Sequence, residues 1–222
     1  MKLKAAFNAL LQTVYPPNCI FCGEQISVGS VCCADCQKTV QSHPDNRQIV
    51  LSDGKLLRCR GLYLYADQVR KAVVQLKFSD RKAYGAAFGK LMAEDTEIRE
   101  MVQKADLITA VPLSKKRMRE RGYSQSALIA QELSRLSNKP YQELVEKHIH
   151  NREQSNLKRE ERMQNVIGVY RVLPKTKLHG ETILLVDDVV TTGATLGACA
   201  AELYRGGAGL VLAAAFAHTE IT

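Results

Sequence analysis

Ile183-Leu184-Leu185-Val186-Asp187-Asp188-Val189-Val190-Thr191-Thr192-Gly193-Ala194-Thr195 decides the fold. The run from Thr182 to Val186 predicts a central strand covered on both faces, because only such a strand is apolar without alternation. That strand delivers Asp187 and Asp188 to the carboxyl end of a sheet, where ligands of open α/β sheets sit. The loop Thr191–Thr195 then opens a helix. Its unpaired N–H groups and dipole favour an anion, and three hydroxyls add donors. Gly193 lets the main chain approach a phosphate closely. Read plainly, Asp187-Asp188 is only a surface turn before a capped helix. Read with the threonine-rich cradle, the carboxylates take ribose hydroxyls and the loop takes a 5′-phosphate.

Outward from this segment, Gly193 to Tyr204 predicts a helix ended by Gly206-Gly207, and Leu210 to Ala217 a last strand. Upstream, Leu107 to Val111 is a short strand ending at Pro112, followed by a polar, basic loop and a helix from Ser124 through Leu136. Val166 to Val172 alternates like a strand. Strands alternating with helices over residues 106–218 imply a parallel, doubly wound sheet. Before it, Leu57 to Tyr65 reads as strand. Asp67 can cap a helix carrying Val69, Val73 and Leu76 on one face, and Tyr84 to Ala93 suggests another. Gln41 to Lys55 reads as a polar connection.

The 222 residues suit one ordinary domain plus a small appendage, and 45% apolar residues allow a sizeable core. The formal charge of +8 is uneven: residues 111–162 hold twelve Lys and Arg against seven Asp and Glu. Such a stretch suggests a polyanionic partner, a phosphorylated small molecule or a nucleic acid, beside the plainer reading of a solvated basic surface. No apolar run approaches the roughly 20 residues of a membrane helix. At the N-terminus, Leu3, Phe7, Leu10, Leu11 and Val14 recur at helical spacing before Pro16-Pro17. This reads as an amphipathic helix packed on the body of the protein rather than a signal peptide, and the expected location is cytoplasmic.

Five of the seven cysteines lie between residues 19 and 36. Cys19-Ile20-Phe21-Cys22 and Cys33-Ala34-Asp35-Cys36 are two C-x-x-C pairs, each offering two thiolates from one tight turn, and two such turns complete a tetrahedron around zinc. Disulfides are disfavoured by the reducing compartment. Cys32 could replace Cys33, but only Cys33 has the C-x-x-C spacing to Cys36. Four thiolates leave no open position, so the zinc is structural. Cys59 and Cys199 read as buried small hydrophobes. The expected organisation is an N-terminal helix and zinc module over residues 1–45 and an α/β domain over residues 46–222.

Residues 183–195 resemble the phosphoribosyl-pyrophosphate (PRPP) signature of type I phosphoribosyltransferases. Together with the four-cysteine segment, Val111-Pro112-Leu113-Ser114-Lys115-Lys116-Arg117-Met118-Arg119-Glu120-Arg121-Gly122-Tyr123-Ser124-Gln125-Ser126, Leu76-Lys77-Phe78 and the stretch from Arg152 to Val166, they make the chain similar to the ComF/GntX family. The resemblance implies a type I phosphoribosyltransferase-like fold and a cytoplasmic protein of natural competence that handles single-stranded DNA, alongside DNA-uptake or DNA-handling proteins. It also implies that Asp187 and Asp188 face the ribose, that Thr191, Thr192, Gly193, Ala194 and Thr195 hold the 5′-phosphate, and that Leu113, Ser114 and Lys115 meet pyrophosphate. Residues 151–165 would be a loop closing over the site, and Mg²⁺ would accompany PRPP.

Two classes of function stay open at this point. One is a PRPP-binding protein that uses Lys116, Arg117, Arg119 and Arg121, with Tyr123 as a stacking surface, for single-stranded DNA. The other is an active phosphoribosyltransferase acting on a nucleobase or other nitrogen nucleophile, in which the same cations clamp pyrophosphate. No separate stretch reads as a nucleobase pocket.

Overall fold

The computed structural model describes residues 17–78, 81–148, 168–174 and 176–220. Its elements in chain order are α1 (Ala34–Thr39), β1 (Asp45–Val50), β2 (Leu56–Leu64), α2 (Asp67–Phe78), α3 (Ala83–Glu94), α4 (Thr96–Lys104), β3 (Leu107–Ala110), α5 (Lys115–Arg121), α6 (Gln125–Ser137), β4 (Val145–Lys147), β5 (Tyr170–Val172), β6 (Thr182–Val190), α7 (Ala194–Arg205) and β7 (Leu210–His218). The main sheet has the order β1-β2-β7-β6-β3. β2, β7, β6 and β3 run parallel, and β1 closes one edge antiparallel to β2.

The central strands β6 and β7 are buried almost throughout, as expected of a sheet covered on both faces. Leu184, Val186, Ala214 and Phe216 face one core, while Ile183, Leu185, Ala213 and Ala215 face the other. The first core is filled by α2, α3, α4 and α6, with Phe88 stacked on Phe216 at 3.6 Å between centroids. Val69, Val73 and Leu76 of α2 are buried in it, the face anticipated from their spacing. Leu196, Cys199, Ala200 and Leu203 of α7 fill the second core. The small side chains of β7 leave room for the layers on both faces.

The feature that positions the site is a difference in strand length. β3 has four residues against nine in β6, and its last pair is Ala110 with Val186. Asp187 and Asp188 therefore stand just beyond the end of β3, still tied to β7 on their other side through the Asp187–Ala215 pairing. A cleft opens there at the carboxyl ends of the strands.

Four expectations need correction. The connection over residues 41–55 contains β1, whose Arg47 and Ile49 point inward while Asn46, Gln48 and Val50 stay exposed. The polar residues hide a genuine alternation. The basic stretch after Pro112 is helix α5 rather than a loop: Ser114 Oγ accepts from Arg117 N–H at 3.3 Å, and Gly122 ends the helix at φ 73°. It buries no residue, so it lacks the apolar period that announces a helix. The strand anticipated over Val166–Val172 begins at Tyr170 among the described residues. It pairs with β4 in a separate two-stranded sheet instead of joining the main one. Helix α4 was not anticipated, although Asp95 caps it by accepting from Ile98 N–H at 2.9 Å. The amphipathic segment 1–14 lies outside the described residues, and the anticipated closing loop 151–165 does too.

Candidate functional site

A cleft of about 660 Å³ lies at the carboxyl ends of β6 and β3. Its floor is the carboxylate pair. Asp187 Oδ1 accepts from Ser126 Oγ and from the Asp188 N–H, both at 2.8 Å. Asp188 Oδ2 pairs with Lys77 Nζ at 2.8 Å. Burial first, and then the neighbouring Asp188 charge, push the Asp187 carboxyl up to about 7, against the opposing pull of Ser126, the Asp188 N–H and Lys77. Burial pulls the Lys77 ammonium down, but the Asp188 carboxylate outweighs it and holds Lys77 above its usual range.

Thr191 to Thr195 form the wall that follows. Gly193 sits at φ 81° immediately before α7, and a Cβ there would lie 2.5 Å from Ile49 Cδ1. Both the left-handed backbone and the close approach demand glycine. Thr192 Oγ1 accepts from Ala194 N–H at 3.3 Å, and Thr191, Thr192 and Thr195 remain half-buried at the edge of the cleft. The loop is braced from β1. Arg47 donates to the Thr191 carbonyl at 2.5 Å and to the Thr219 carbonyl at 2.8 Å, while its charge is matched by Asp45. Alternate residues of one strand thus support the loop, Arg47 by its carbonyl and Ile49 under its glycine. Neither was singled out in the sequence, where a lone Arg in a polar stretch carries no signal.

α5 and the start of α6 form the opposite wall. Leu113, Ser114, Lys116, Arg117, Arg119 and Arg121 line the same cleft as Asp187, Asp188 and Thr191–Thr195. Lys115 is exposed and does not line it; its charge acts on Glu146. Arg121 donates to Gln125 Oε1 at 3.1 Å, and burial, then the Arg117 charge, lower its guanidinium from the usual range. Burial and Arg117 likewise lower Lys147, which lines the cleft from β4. Tyr123 differs from its expected role: it is buried, its hydroxyl donates to the Leu76 carbonyl at 2.5 Å, and its ring does not line the cleft. It locks α2 to α6 and offers no open face on which a base could stack. Lys77 and Ser126, by contrast, line the site although the sequence reading gave neither residue a role.

The four cysteines lie on the far side of the first core. The sulfurs of Cys19, Cys22, Cys33 and Cys36 all lie within 4.8 Å of one another, and Cys22 Sγ is 3.6 Å from Cys33 Sγ. Thiolate–zinc bonds of about 2.3 Å place tetrahedral sulfurs roughly 3.8 Å apart, so this set fits zinc, while a disulfide needs about 2.05 Å. Gly23 at φ 83° makes the tight turn after Cys22, with its N–H donating to the Cys19 carbonyl at 2.9 Å. Cys32 stands outside the cluster, which resolves the choice in favour of Cys33. Cys59 and Cys199 are fully buried in the second core.

Comparison with known proteins agrees with this geometry. A double zinc ribbon domain model matches residues 10–47. Competence protein ComFC of Bacillus subtilis (strain 168) is 32% identical over 182 residues, covering 80% of this chain and 68% of that protein. The chain belongs to the ComF family. Another relative is the DNA utilization protein YhgH of Escherichia coli (strain K12), 34% identical over 151 residues and 66% of each chain. The ComF-family chain thus spans about two thirds of these relatives' length. Competence protein F of Haemophilus influenzae is 25% identical, covering 81% of this chain and 75% of that protein. Among solved structures, the glutamine PRPP amidotransferase of B. subtilis aligns with a TM-score of 0.41 at 20% identity, covering 59% of this chain and 25% of that one. Orotate phosphoribosyltransferase from Aeropyrum pernix aligns at 0.36 and 14%, covering 82% and 77%. The double zinc ribbon match and the four-cysteine cluster support a structural zinc in this ComF-family chain.

Reductively purified protein should therefore carry one zinc per chain by elemental analysis, and Cys36→Ser should release it and lower the melting temperature. Metal-free wild-type protein of unchanged stability would refute the assignment.

A second expectation concerns pH. Asp187 is held protonated in the folded protein up to about 7, against 3.8 for an unperturbed carboxyl. Between these values the folded state binds the extra proton, so this group's stabilisation is complete below about 4 and is lost as pH rises toward 7. One proton limits the slope to about 1.4 kcal/mol per pH unit. Asp187→Asn should flatten the fall in urea-unfolding stability across this window, whereas parallel wild-type and variant curves would contradict the burial argument.

Proposed function

We propose that this ComF-family protein binds PRPP or a closely related phosphoribosyl ligand in the cleft above β6, and does so within a competence or DNA-utilisation role. The observation that supports this reading most is that two adjacent carboxylates, a hydroxyl-rich helix N-terminus and a cationic wall line one cleft. Each matches a different part of the ligand. Asp187 and Asp188 accept from the ribose hydroxyls. Thr191–Thr195 and the first N–H groups of α7 receive the 5′-phosphate. Leu113 and Ser114, with the α5 cations behind them, lie toward the pyrophosphate, and Lys115 adds positive potential from outside. Mg²⁺, when bound with PRPP, would be held near Asp187 and Asp188 and would supply positive charge there.

Calorimetry with Mg-PRPP tests this. Asp187→Asn combined with Asp188→Asn should weaken binding on the order of 100-fold, since the charge-assisted bond of Asp188 and the carboxyl of Asp187 are both lost. Unchanged affinity in the double variant would mean that the ribose lies elsewhere. Release of pyrophosphate on adding nucleobases would extend the reading to a transferase.

The exposure of Lys115, Lys116 and Arg119 on α5 favours a second role for the same wall, contact with single-stranded DNA. The relatives named for competence and for DNA utilisation support that role, and the proposed location is cytoplasmic. Among the described residues no helix is long and apolar enough to cross a membrane. Removing Lys116, Arg117 and Arg119 together should weaken oligonucleotide binding and flatten its salt dependence by about 0.7 log units per lost contact for each tenfold change in salt. Loss of PRPP binding with unchanged oligonucleotide binding would assign the wall wholly to pyrophosphate.

A further inference from the structure

We infer that Lys77 is a ligand-contacting cation of this cleft, whose ammonium passes from Asp188 to a diphosphate oxygen when the phosphoribosyl ligand binds. The inference rests on the phosphoribosyl reading and adds to it a residue and a specificity. Lys77 comes from the last turn of α2, an element far in sequence from the strand–loop–helix that forms the floor and phosphate wall. Its side chain is 25% exposed, and it lines the cleft while its Nζ lies 2.8 Å from Asp188 Oδ2. A lysine held only for stability has no need to border a cleft of about 660 Å³.

Three properties make the exchange physically reasonable. An ammonium carries three donors, and among the described residues Asp188 is its one ion-pair partner, which leaves donors for a ligand. Its four-carbon stem lets the charge move by ångströms without moving α2. The third property is electrostatic. A diphosphate entering beside Asp187 and Asp188 meets two acidic groups, and Lys77 is the cation already bound to one of them. Its held position screens Asp188, and its side chain lines the cleft that the incoming charge enters. Ligands without a diphosphate gain much less from it. Lys77 therefore sets a preference for a diphosphate-bearing sugar over the simple sugar monophosphate. The last turn of α2 that carries Lys77 is anchored, since Leu76 is fully buried and its carbonyl accepts from Tyr123 at 2.5 Å.

The test uses the full chain and two probes, inorganic pyrophosphate without added metal and ribose 5-phosphate, each measured by calorimetry. Lys77→Met should weaken pyrophosphate binding on the order of tenfold, the worth of one charge-assisted bond, and weaken ribose 5-phosphate much less. Asp188→Asn should do the opposite for pyrophosphate and strengthen it, because the ammonium is released and a negative charge removed. If Lys77→Met leaves Asp188 unpaired and the variant folds poorly, Lys77→Met combined with Asp188→Asn restores neutrality. That double variant should bind pyrophosphate more weakly than Asp188→Asn alone. Equal losses in Lys77→Met and Asp188→Asn, or no loss in Lys77→Met, would overturn the inference and reduce Lys77 to a counter-ion. A wild-type protein that binds neither PRPP nor pyrophosphate would instead overturn the phosphoribosyl reading beneath it.

Discussion

Two neighbouring carboxylates cannot be buried side by side without compensation, because each loses its hydration and each repels the other. At the end of β6 this protein meets that constraint in different ways for the two groups. Asp187 is surrounded by donors from Ser126 and the next backbone N–H, and its own proton relieves the remaining repulsion. Asp188 receives a whole opposite charge from Lys77. Meeting the constraint draws α2, α6 and β6 to one point, which is why a site assembled from distant segments has a defined geometry.

The same point depends on what lies beneath the threonine loop Thr191–Thr195. Arg47 and Ile49 of β1 hold Thr191 and crowd Gly193, so the Thr191 carbonyl is engaged and the Gly193 position has no room for a side chain. β1 follows the cysteine module closely in the chain, and the module itself packs on the sheet: Cys19, Ile20, Phe21 and Cys36 belong to the same apolar cluster as Tyr63 and Phe216. Phe21 meets Tyr63 edge-on at 5.9 Å. The metal-binding segment and the ligand cleft are thus parts of one packed body among the described residues.

The cationic wall has a different character. α5 buries nothing, and its charges are partly answered locally, as in the exposed pair of Lys116 with Glu120 at 3.9 Å. Exposed pairs of this kind contribute little to stability. The helix is therefore held by its Ser114 cap and its Gly122 stop more than by burial of its side chains, several of which line the cleft.

How much of this was legible in the sequence follows from the range of each interaction. Short-range rules determined the central strand, the glycine of the phosphate loop, the Ser124 cap of α6 and the two C-x-x-C pairs, because apolar runs, turn residues and ligand spacing act within a few residues. The Asp187-Asp188 pair and the threonine cradle were readable for the same reason. Tertiary structure decided what needed partners from elsewhere. β1 became a strand because an edge was available beside β2 and because Arg47 found carbonyls at Thr191 and Thr219, over 140 residues away in the chain. Tyr123 turned inward because the Leu76 carbonyl waits on α2. Lys77 became part of the site because the buried Asp188 charge it pairs with lies on a strand more than 100 residues later, and only the packed fold brings the two together.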